Sequence, residues 1–75
     1  MKKLICTTPS CELIKNKEYY YIKVGHGIFE TDPYVTVKEI DTDKIITCHF
    51  YRFFNDKLFL ENEYKKLKEI VPFKI

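Results

Sequence analysis

Ile45-Ile-Thr-Cys-His-Phe-Tyr-Arg-Phe-Phe54 gathers four aromatic residues and a histidine into ten positions, and its reading decides the fold. In an extended chain, alternation puts Ile46, Cys48 and Phe50 on one face and Thr47, His49 and Tyr51 on the other. Both faces carry apolar or aromatic groups, so the stretch is expected to be a strand with neighbours on both sides, central in its sheet.

Working outward, Asp41-Thr-Asp-Lys44 reads as a four-residue hairpin turn. The strand before it spans Tyr34 to Ile40, with Val35 and Val37 inward and Tyr34, Thr36 and Lys38 outward. On the other side, Asn55-Asp56 offers a helix N-cap. Leu60, Tyr64, Leu67 and Val71 then recur at i, i+4, i+7 and i+11, one apolar stripe of a helix over 56–71. Glu61 and Lys65 stand in the favourable i, i+4 order, and Pro72 ends the helix, leaving a tail over 72–75.

Further upstream, Glu18 to Val24 is a β-branched and aromatic strand in which Tyr20, Ile22 and Val24 alternate against outward Tyr19, Tyr21 and Lys23. Gly25-His26-Gly27 reads as a reversal or loop tip, and Glu30-Thr-Asp-Pro33 as a turn. A first strand runs from Lys2 to Thr7, with Leu4 and Cys6 on one face and Ile5 on the other, until Thr8-Pro9-Ser10 breaks it. Cys11 to Lys17 is a loop anchored at Leu13-Ile14, and Asn16 turns the chain into the next strand. The fold class is α+β, mainly β: one domain over 1–75 with a small, strongly bent antiparallel sheet of four or five strands and one C-terminal helix.

Seventy-five residues lie near the lower limit for a single unaided core. Six Tyr and six Phe compensate, since each buries about 150–250 Å². With 45% apolar and 32% charged residues the composition is that of a globule, not a disordered chain. A net charge of +2 is too small to imply a nucleic-acid partner by itself, and among thirteen basic residues Arg52 is the one arginine. Met1-Lys-Lys precedes too short an apolar run for a signal peptide, and no stretch is long enough to span a membrane, so the protein is expected to be cytoplasmic.

Cys6, Cys11 and Cys48 are an odd number, which favours reduced thiols over a disulfide framework. A zinc site built from them and His49 or His26 fits poorly. The Cys6–Cys11 spacing is looser than a usual zinc knuckle, and Cys48 and His49, adjacent on a strand, point to opposite faces. The same divergence defeats a Cys48–His49 nucleophile and base. Carboxylates at Glu30, Asp32, Glu39, Asp41 and Asp43 cluster on turns, where such residues cap and solvate. No catalytic residue, metal ligand or cofactor is expected.

Leu13-Ile-Lys-Asn-Lys-Glu-Tyr19-Tyr-Tyr-Ile, followed by a valine strand, a short turn and Tyr51-Arg52-Phe53, resembles the small Src-homology-3-like barrels encoded by bacteriophages. Many of these read leucine, x, lysine, glycine, lysine, x, tyrosine and close on arginine-phenylalanine. The resemblance covers residues 1–54; Asn16 stands where glycine is usual, and the helix falls outside the pattern. It implies a barrel-like arrangement of 1–54 and a phage-type accessory protein acting on a host protein in the host cytoplasm. It implies no active site and carries over no functional residues.

The functional expectation rests on the outward set Tyr19, Tyr21, Tyr34, His49 and Tyr51. Tyrosine gives rigid contact area with a hydrogen-bonding tip, which suits a protein-binding face. The chain is therefore read as a non-enzymatic protein that binds and inhibits a protein partner, with self-association as the rival. The alternative is a nucleic-acid-binding small barrel that stacks bases on the same face, helped by Lys23, Lys38 and Arg52. The helix stripe must also bury on a neighbour, and this face is one place for it.

Overall fold

The computed structural model describes residues 2–26 and 33–70. Strands β1 (Lys3–Ile5), β2 (Glu18–His26), β3 (Pro33–Glu39) and β4 (Ile45–His49) form one antiparallel sheet in that order. A 3₁₀ helix over Phe50–Asp56 and an α-helix, α1, over Lys57–Ile70 follow. The fold is α+β and mainly β, and the sheet is open, with β1 and β4 at its edges.

β4 is thus an edge strand, paired with β3 alone among the described residues, and not the central strand. The apolar load that suggested two neighbours lies beyond His49, where the chain leaves the sheet. Phe50 and Phe53 are buried from the 3₁₀ helix, not from a strand. His49 makes the change of direction. Its backbone is extended (φ −72°, ψ 151°), and its ring Nδ1 accepts the Tyr51 N–H at 3.2 Å, capping the 3₁₀ helix.

Alternation holds along β3 and β4: Val35, Val37 and Ile46 are buried, while Thr36 and Thr47 share a hydrogen bond at 3.1 Å on the outer face. It fails in β2. Tyr21 pairs with Val37 and Lys23 with Thr36, so Ile22 is an extra residue, a β-bulge. Both Ile22 and Lys23 are exposed, and the phase reverses between Tyr21 and Val24. Tyr19 and Tyr21 therefore face the core, correcting the outward parity assigned to them, while Val24 is inward as expected. Tyr19 is 0% exposed; its hydroxyl accepts the Ile14 N–H at 2.9 Å and its ring meets Phe53 edge-on at 6.1 Å. A buried tyrosine needs such a partner, and the loop supplies it.

Turns follow their residues. Asn16 (φ 69°) and Asp43 (φ 60°) take the left-handed conformation that asparagine and aspartate tolerate best after glycine. Gly25 and His26 continue β2 instead of reversing it, and Pro33 opens β3 opposite His26 instead of closing a turn. The expected turn at 30–32, with Gly27, lies outside the described residues, as do Val71, Pro72 and the tail. Of the Leu13-Ile14 anchor only Leu13 is buried.

A clasp joins the two edges. Arg52 O accepts the N–H groups of Thr7 (2.7 Å) and Thr8 (3.2 Å), and the Phe54 N–H donates to Thr7 Oγ1 at 2.9 Å. Arg52 Nη1 donates to Pro9 O at 2.6 Å and Thr8 O at 3.4 Å. Asp56, expected as an N-cap, instead accepts the Ile5 N–H at 3.2 Å and pairs with Lys2 at 3.8 Å. The 3₁₀ helix is thereby tied across from β4 to β1. α1 then packs on the inner face of the sheet: Leu60 is fully buried and Tyr64 and Leu67 pack against the core, as their spacing predicts. Among the described residues, the ion pair along α1 is Lys66–Glu63 at 3.1 Å and not Glu61–Lys65.

Candidate functional site

Of the five residues expected to form a binding face, two are removed by the bulge. Tyr19 is core. Tyr21 lies half-buried beneath α1, edge-on to Phe59 at 5.1 Å with its hydroxyl donating to Glu63 Oε1 at 3.3 Å. Burial, and then the Glu63 carboxylate, push the Tyr21 hydroxyl up to about 12. The bulge has turned Tyr21 to the inner face, on which α1 packs.

The other three converge at one corner. Tyr34 and His49 are register partners on neighbouring strands, their rings edge-on at 6.0 Å. His49 and Tyr51 are separated by 5.0 Å between ring centroids. The Arg52 guanidinium lies 4.7 Å over the Tyr51 ring and holds it from behind.

His49 and Tyr51 of this corner line a groove of about 620 Å³ between the 3₁₀ helix and α1. Phe50 and Tyr64 meet there edge-on at 5.9 Å, and Phe50 is buried. Its lips are Tyr51, Phe54 and Leu58, exposed to 48%, 65% and 72%. Single exposed apolar residues are ordinary, but here three large ones surround one concavity. Both helices are held in place, by the Arg52–Thr7 clasp and by Leu60, so the lips are presented on fixed backbone.

Phe54 belonged to the aromatic run but had no assigned role, and Leu58 was missed. Its signal was legible: it lies two positions before Leu60, off the Leu60/Tyr64/Leu67 stripe, an apolar residue on what should be a polar face.

Cys6 is buried with its Sγ donating to Thr8 O at 3.4 Å, Cys48 is half-buried and Cys11 is exposed. Burial pushes the Cys48 thiol up to about 11 and raises Cys6 as well, which keeps both protonated at neutral pH and makes them poor nucleophiles. Among the described residues no three His, Cys, Asp or Glu side chains converge as metal ligands do, and no helix is long and apolar enough to cross a membrane. No protein-family model, curated protein or solved structure matches this chain.

Proposed function

We propose that this protein is a non-enzymatic binding module that engages a protein partner through the groove between the 3₁₀ helix and α1. The observation that carries this reading is the exposure of Tyr51, Phe54 and Leu58 around one concavity with an aromatic floor. Aromatic and aliphatic anchors of this kind are what protein interfaces are built on. The resemblance of residues 1–54 to phage-encoded small barrels supports the finer part of the proposal: a phage-type accessory protein that inhibits a host protein in the host cytoplasm.

The nucleic-acid reading has less behind it. Arg52, its strongest phosphate ligand, is committed to the carbonyls of Thr8 and Pro9. Lys38 pairs with Asp43 at 3.7 Å, and the tyrosines meant to stack bases with it are in part covered by α1.

Photo-cross-linking tests the proposal. A benzophenone amino acid replaces Phe54 in the protein produced in candidate host cells, and Ile14, equally exposed but remote in sequence, serves as control. A discrete protein adduct from position 54 and none from position 14 is expected. Identical adduct patterns from both positions, or none from either, overturn the reading.

A further inference from the structure

The charges around the groove narrow the partner further, on the strength of the reading just given. Five of the described lysines are spent within the fold: Lys2, Lys17, Lys38, Lys44 and Lys66 all have carboxylate partners within 4 Å. Lys57 and Lys65 line the groove, are exposed, and have no ion pair among the described residues. They stand eight positions apart on α1, which is about 12 Å along the helix axis. Glu61, also on the groove and likewise without an ion pair among the described residues, lies midway between them.

This order of charges bears on who can dock. A second copy laid antiparallel with the two Glu61 side chains apposed would also set each lysine against a lysine, so that centred self-docking register meets repulsion at all three points. A nucleic-acid strand would meet Glu61 at the centre of its track, without an arginine to grip phosphate. A peptide chain avoids both problems, because its charges can be placed discretely.

We propose that the groove takes a peptide segment of a protein partner in which an apolar or aromatic anchor, seated between Phe54 and Leu58, is flanked by carboxylates that reach Lys57 and Lys65. The anchor supplies the buried area, and the carboxylates set orientation and hasten encounter.

The test is selection from a random twelve-residue peptide library on two immobilised proteins: the parent chain and the charge-reversed variant Lys57→Glu/Lys65→Glu. Peptides enriched on the parent are expected to carry a large apolar residue flanked by Asp or Glu. At least tenfold weaker binding to Phe54→Ser, measured by fluorescence anisotropy, is expected of them. Peptides enriched on the charge-reversed variant should be basic around the same anchor. A parent pool that depends on Phe54 but shows no acidic bias sinks this inference and leaves the groove as the binding site. A pool indifferent to Phe54, or no enrichment at all, sinks both. Tight binding of a dT12 oligonucleotide that falls steeply with salt, and is lost in Phe54→Ser, overturns the peptide in favour of nucleic acid.

Discussion

At the scale of single residues, the fold depends on a few aromatic side chains whose surroundings differ sharply. Phe50 is buried beneath Tyr64 at the turn out of β4. Truncation to alanine leaves a cavity where the sheet meets both helices, so Phe50→Ala should lower stability by about 3–5 kcal/mol in urea titrations. A loss below about 1 kcal/mol would mean the ring is not in the core. Tyr21 gives a prediction in pH. Its hydroxyl has an ordinary value of 10.0 and is pushed up to about 12 in the fold. The unfolded chain therefore releases this proton first, and between those values it binds fewer protons than the folded chain. The Tyr21 contribution is full below pH 10 and is lost as pH rises toward 12. Half-buried Cys48 adds its own decline from about pH 9 upward, but parent and Tyr21→Phe share that. Unfolding midpoints taken between pH 9 and 12 should fall less steeply above pH 10 in Tyr21→Phe; parallel curves would contradict the account.

At the scale of elements, what the sequence shows depends on whether a feature is local. The turn at Asp43 and the turn at Asn16 are carried by residues that accept positive φ, and both were readable. The α1 stripe was readable because a 3.6-residue period survives any docking geometry. The bulge at Ile22 was not, because a bulge is a property of two strands: nothing in Tyr20-Tyr-Ile-Lys says that Val37 and Val35 will be matched by Tyr21 and Val24. That one unpaired residue decides which tyrosines become core. The end of β4 was hidden for a similar reason. A run of aromatics reads as strand by propensity, whereas the tertiary pull of the core and the His49 cap turn it into a 3₁₀ helix. The clasp between this helix and β1 is also invisible in sequence, since Arg52 and Pro9 are more than forty positions apart. Its strength is testable. Arg52→Ala removes charge-assisted bonds to two carbonyls and should lower stability by about 1.5–3 kcal/mol. The Thr7 and Thr8 amides, which donate to the Arg52 carbonyl, should exchange faster with solvent. Unchanged stability and exchange would show that the clasp contributes nothing.

At the scale of the whole molecule, the helix and the bulge together move the candidate interface. The sequence placed it on a tyrosine face; the fold turns Tyr19 and Tyr21 to the inner face, where α1 packs, and leaves a corner of Tyr34, His49 and Tyr51, of which His49 and Tyr51 line the groove. Two residues that complete the site, Phe54 and Leu58, come from the segments that cross back over the sheet. The central claim is that these lips bind a partner and do not hold the fold together. The most direct measurement compares affinity and stability for Phe54→Ser and Leu58→Ser, using the partner captured through position 54. Both side chains are largely exposed, so the two variants should unfold within about 0.5 kcal/mol of the parent, while at least one loses about 2 kcal/mol or more of binding energy, roughly thirtyfold in Kd. Equal affinity in parent and both variants, with folding intact, would contradict the claim.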